Sequence, residues 1–130
     1  ILQARGQLDE ALRIREQEEL PVYERLGDVR EKAVTQGKIA DILQARGQLD
    51  EALRIREQEQ LPVYERLGDV RSLLICRWWI AHILLRRARP EDRPAAEALL
   101  RQALAAARGM RIPESAQIEA IMRQHGFEPG

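Results

Sequence analysis

Residues 42–71 read ILQARGQLDEALRIREQEQLPVYERLGDVR, and residues 1–30 read ILQARGQLDEALRIREQEELPVYERLGDVR. The two stretches lie 41 positions apart and differ at one place, Glu19 against Gln60. The similarity continues more weakly downstream. Ile39-Ala40-Asp41-Ile42-Leu43 recurs as Ile80-Ala81-His82-Ile83-Leu84, and Glu51-Ala52-Leu53 recurs as Glu97-Ala98-Leu99 after a short insertion around Pro90–Pro94. Such a period predicts an all-α solenoid, in which each unit buries its apolar face only against its neighbours.

Each unit reads as two helices. Over residues 28–46, Asp28 is an N-cap whose carboxylate accepts orphan amide bonds, with Glu31 placed as the acidic half of a capping box. Val29, Ala33, Ile39, Ala40, Ile42 and Leu43 form the apolar stripe, and Gly47 is a left-handed C-cap candidate. The second helix covers residues 48–67 and stops at Gly68. Short turns on both sides predict antiparallel packing. In the first copy, Leu8, Ala11, Leu12, Val22, Tyr23 and Leu26 share a stripe, but so do Arg15 and Glu19. Pro21 and Pro62 sit mid-helix and remove a backbone hydrogen bond. A bulge or bend is expected near residues 17–21 and 58–62, with a clean break into two short helices as the alternative.

The chain has 130 residues, with 21 basic and 21 acidic side chains and a formal net charge of zero. That length suits one domain. An apolar fraction of 45% beside 32% charged residues argues against collagen-like, membrane and disordered classes. No run approaches the roughly 20 apolar residues of a membrane span. One cysteine, Cys76, excludes an internal disulfide framework. The sequence opens inside a repeated block and shows no leader, so a fragment is expected. The lone thiol and missing leader point to the cytoplasm.

The string Ala45-Arg46-Gly47-Gln48-Leu49-Asp50-Glu51-Ala52-Leu53, and its first copy around Gly6 and Ala11, resembles the A-x-G-[DN]-[YL]-[DE]-[EK]-A turn of the tetratricopeptide repeat. Tyr64-Glu65-Arg66-Leu67-Gly68-Asp69 is similar to the longer bacterial form of that repeat. The resemblance covers residues 1–89 and, more loosely, 90–109. It implies an α-α superhelix of antiparallel helix pairs, non-enzymatic, whose concave face binds an extended peptide or a partner helix. Residues 1–130 are then one domain. Residues 1–27 are a truncated first repeat, 28–68 a full repeat, 69–109 a diverged last repeat, and 110–130 a capping helix and tail.

The ends differ. Residues 1–5 read as the last turn of a first-type helix, so the stripe of residues 8–26 is expected to be open and to need a cover: upstream repeats, another chain or a rearranged end. At the other end, residues 94–109 read as a last second-type helix with Ala95, Ala98, Leu99, Leu100, Ala103, Leu104 and Ala107 apolar. Residues 113–125 read as a capping helix ended by Gly126, with Phe127 tucked beneath it. Residues 70–85, VRSLLICRWWIAHILL, are apolar nearly all round, which means either full burial or a docking surface. The family's concave positions map to Val34, Gly37, Asp41 and Gln44 in one unit and Ile75, Trp78, His82 and Leu85 in the next. Asp41, Gln44, Trp78, His82, Leu85 and Arg86 are the groove candidates. Trp78 and Trp79 are either covered by the last helices or exposed as a partner's anchor.

Charge is unevenly spread. Residues 1–70 hold 11 basic and 15 acidic side chains, and residues 71–130 hold 10 and 6. Arg86, Arg87, Arg89 and Arg93 cluster near the last turn. Overall neutrality and acidic repeats argue against nucleic acid. Ends of opposite sign favour head-to-tail association of chains.

Chemistry-bearing motifs are missing. There is no HExxH, CxxC or paired His–carboxylate spacing, so no metal is expected. Cys76 and His82 are six apart on one helix and face different ways, which argues against a nucleophile–base pair. No phosphate loop or GxGxxG occurs, and no cofactor is expected. The reading is a protein-binding scaffold that is not an enzyme. The alternative is a self-assembling unit, head-to-tail or domain-swapped, since nearly identical segments can exchange places.

Overall fold

Asp28 starts the first long repeat helix. Its Oδ1 accepts the Glu31 N–H at 3.0 Å, satisfying an amide the helix leaves without a partner. Asp69, its counterpart one repeat later, accepts the Ser72 N–H at 3.0 Å and the Ser72 hydroxyl at 2.7 Å. The computed structural model describes the backbone of residues 2–130 and side chains from Ala4 onward, and among those residues every regular element is helical. The elements are α1 (Leu2–Ile14), a π-helical turn π1 (Arg15–Glu19), α2 (Leu20–Leu26), α3 (Val29–Ala45), α4 (Leu49–Arg54), a second π-helical turn π2 (Ile55–Gln60), α5 (Leu61–Leu67), α6 (Val70–Arg87), α7 (Asp92–Met110) and α8 (Glu114–Gln124). They form two compact units, Ile1–Val63 and Tyr64–Gly130, divided within α5.

In the first unit α3 is central, touched by α1, π1 and α2 before it and by α4 and π2 after it. Ala33, Ile39, Ala40 and Leu43 are buried, as are Ala52, Leu53 and Ile55. Gln60, at the end of π2, donates to the Ala33 carbonyl at 3.2 Å, while Arg56 reaches Asp41 near the end of α3. Early-to-late pairing of this kind makes the two segments antiparallel. Gly47 ends α3 in the left-handed region at φ 81°, and the Gln48 N–H closes back on the Leu43 carbonyl at 2.8 Å. A side chain with a Cβ would strain that turn.

The expected irregularity takes the form of the two π turns. Leu20 and Leu61 donate to the carbonyls of Arg15 and Arg56, five residues back. Pro21 and Pro62 follow within two residues, and the wider turn relieves the clash of the proline ring with the preceding carbonyls. The wider turn also advances less per residue. Arg56 and Gln60, four apart, lie over the same strip of α3, where Asp41 and the Ala33 carbonyl receive them, which explains two polar residues on an apolar stripe.

The first copy departs from expectation. Residues 2–5 are not the tail of a separate helix: α1 runs from Leu2 through Gly6 to Ile14 without a break. The identical residues Leu43–Ile55 form the end of α3, a reversal, α4 and the first residue of π2. Local sequence is the same in both, so tertiary packing decides. In the second copy α3 covers Ala52, Leu53, Ile55 and Arg56. Their counterparts Ala11, Leu12, Ile14 and Arg15 are only half-buried.

In the second unit, α6 packs along α7, and α7 packs against α8. Leu74, Ile80, Ala81, Ile83 and Leu84 of α6 are buried, as are Ala96, Leu100, Ala103, Leu104 and Ala107 of α7. Ile118 and Met122 of α8 are fully buried, and Phe127 is buried past the end of α8 under the Arg93 guanidinium, 4.3 Å above its ring centre. In the first turns of α7 the buried alanine is Ala96. Ala98, aligned above with Ala52, is exposed, so the insertion is shorter by two positions than the Glu-Ala-Leu match implies. The end of α7 also shifts: Gly109 stays helical and the reversal falls at Arg111, with φ 56°.

Candidate interaction surface

α6 carries Trp78, His82 and Leu85 at spacings of four and three, which brings them to one face. The neighbouring Trp79 ring lies 6.5 Å from that of Trp78, nearly parallel to it, and meets the His82 ring edge-on at 5.8 Å. Trp79 is 38% exposed and Trp78 is half-buried. α7 and α8 therefore seal neither ring into the core. His82 is held below the usual histidine pKa, first by its partial withdrawal from water and then by the charges of His125 and Arg86. The three groups thus share one electrostatic neighbourhood.

A cavity of about 340 Å³ adjoins this face at the turn between α6 and α7. Leu84, Leu85, Ala88 and Pro90 give it apolar walls, Arg89 and Arg93 give it a cationic rim, and His125 also lines it. The turn itself is pinned. Arg87 clasps Asp92 through Nε at 2.8 Å and Nη2 at 2.7 Å, and the Arg89 N–H donates to the same carboxylate at 3.0 Å. Arg87 also holds the Asp92 carboxyl down to about 2. Ala88, φ 58°, sits in the left-handed region inside this turn.

The six groove candidates are divided between the two units. Trp78, His82, Leu85 and Arg86 belong to the second unit, and the structure brings His82 and Arg86 together while Leu85 lines the cavity. Asp41 and Gln44 belong to the first. Gln44 is buried, and the Asp41 carboxylate, though partly exposed, is taken by the ion pair with Arg56. His125, at the end of α8, was missed by sequence reasoning; only its nearness to Arg93 in space reveals it. Arg89 and Arg93 were visible as a charge cluster, without the apolar walls that give it a shape. The buried Arg56–Gln60 pair had no signal beyond its place on the apolar stripe.

Among the described residues no group of three or more His, Cys, Asp or Glu is placed to hold a metal ion, and no helix is long and apolar enough to cross a membrane. Comparison of the chain with protein-family models, with curated proteins and with solved structures finds no match.

Proposed function

We propose that the chain is a non-enzymatic, tetratricopeptide-like interaction module, a superhelix of helix pairs, whose α6 face binds a peptide or partner helix. The observation that carries this reading is the continuity of exposed Trp79, His82 and the cationic-rimmed apolar cavity within a single compact unit. Aromatic anchors with an arginine rim are a common composition for protein interfaces. The rim selects for acidic partners carrying apolar side chains. The test is calorimetric titration with amphipathic peptides of equal length and opposite charge. Acidic peptides should bind, with Trp79→Ala weakening them at least about tenfold, the scale of an interface anchor. Equal affinity for acidic and basic peptides, or no effect of Trp79→Ala, removes the reading.

A second reading, self-assembly of the chain, rests on a different observation. The duplicated residues of α1 and of the α3–α4 hairpin hold two conformations.

A further inference from the structure

The thirteen residues Leu2–Ile14 recur letter for letter as Leu43–Ile55. The first set is one straight helix. The second folds back at Arg46–Gln48, with Gly47 at φ 81°. Gly6, the counterpart of Gly47, lies inside α1 with nothing within 4 Å of where a β-carbon would stand. The same sequence therefore adopts both a bent and a helical backbone. Those are the two states that a domain-swapping hinge must hold.

We propose that Arg46–Gln48 is such a hinge, and that the partner is a second copy of this chain. When the hinge straightens, α3 and α4 join into one helix, and everything from Gln48 onward leaves the α3 that it covered. The bared face of α3 is specific for what it lost. Gly37 leaves room for the Gln60 side chain, the Ala33 carbonyl accepts its amide, and Asp41 pairs with Arg56. The α4–π2 segment of a second chain offers the identical side chains. Swapping therefore rebuilds every contact, and the balance falls to the hinge and to chain concentration. The nearest alternative within one chain, Arg15 with Glu19, has no amide at position 19 to give to Ala33. This proposal rests on the self-assembly reading and is independent of peptide binding along α6.

Charge exchange tests it. Asp41→Arg and Arg56→Asp each put like charges together inside one chain. In a swapped pair of the two variants, each arginine faces an aspartate across chains at both contacts. Refolded together, they should give a one-to-one dimer of twice the 15.0 kDa chain mass by light scattering, while each alone stays monomeric. Gly47→Ala keeps the ion pair intact and decides the matter should a charge variant fail to fold. It should tighten dimerisation at least about tenfold, since a β-carbon opposes the left-handed turn and favours the helix. Gly6→Ala should leave dimerisation unchanged. Helical chains that stay monomeric in the mixture, or a Gly47→Ala chain that stays monomeric at millimolar concentration, overturn the proposal together with self-assembly. Dimers that form equally in Gly6→Ala and Gly47→Ala, or without charge complementation, overturn the hinge alone.

Discussion

Arg56 and Asp41 form an ion pair across the contact between π2 and α3, and Arg56 Nη1 also donates to Gln60 Oε1 at 2.9 Å. In the first copy Arg15 instead donates to Glu19 on its own turn at 2.7 Å. The one difference between the copies thus follows the source of the countercharge. Where α3 supplies a carboxylate, position 60 stays neutral and its amide serves Ala33. Where the turn itself carries the carboxylate, Arg15 is neutralised locally. Exchanging the two residues should therefore have unequal effects. Gln60→Glu sets a buried carboxylate against the Ala33 carbonyl and removes its donor, costing about 1–3 kcal/mol. Glu19→Gln gives up a half-exposed pair worth less than about 1 kcal/mol. Urea denaturation of both variants measures this, and equal losses would refute the account.

Gly6 and Gly47 predict opposite signs for one substitution in one local sequence. Gly6 is inside a helix with open space around it, so Gly6→Ala should stabilise the chain by about 0.5–1 kcal/mol. Gly47 holds a left-handed turn, so Gly47→Ala should destabilise the monomer by about 1–2 kcal/mol. Thermal denaturation at low micromolar concentration reads both. A loss at both positions would mean that residue 6 also needs the turn.

The same pair of glycines marks the boundary of what sequence could tell. The cap at Asp28, the short turns and the helix ended by Gly126 were legible because each depends on residues within four or five positions. The bulges were legible as a conflict, charged Arg15 and Glu19 and a proline on an apolar stripe. The straightness of α1 was not, since its letters are those of a hairpin; the two differ in packing, with Ala52, Leu53 and Ile55 buried where Ala11, Leu12 and Ile14 are half-buried. Ala96 was missed because matching Glu-Ala-Leu across an insertion fixes letters rather than burial. The interaction surface was half legible. Trp78, His82 and Leu85 follow from helical spacing, but His125 comes from another helix, and Asp41 and Gln44 are absorbed by packing inside the first unit.

Ala88 ends α6 in the left-handed region, where its N–H still reaches the Leu84 carbonyl. Its β-carbon opposes that conformation, so Ala88→Gly should raise stability by about 0.5–1 kcal/mol. Ala105, exposed within α7, serves as the control, and Ala105→Gly should cost about 1 kcal/mol. Circular dichroism melts of the two variants should move in opposite directions. If Ala88→Gly melts lower, the turn is held by something other than its backbone preference.

Asp92 makes the folded state sensitive to acid. Its carboxylate takes two hydrogen bonds from Arg87 and one from the Arg89 N–H, and its folded pKa lies at about 2, below the ordinary 3.8. A carboxyl whose folded pKa is lowered binds protons more readily unfolded, so it contributes stability that is complete above the unfolded pKa and fades as pH falls towards the folded one. The window therefore runs from about 4 down to about 2. Asp92→Asn removes the charge while keeping the shape. Its denaturation midpoint should fall clearly below that of the parent chain at neutral pH, because Arg87, largely buried, loses its anion. The two midpoints should draw together through the acid window. A gap that stays constant across that range would show that Asp92 holds the turn by shape alone and that its charge contributes nothing.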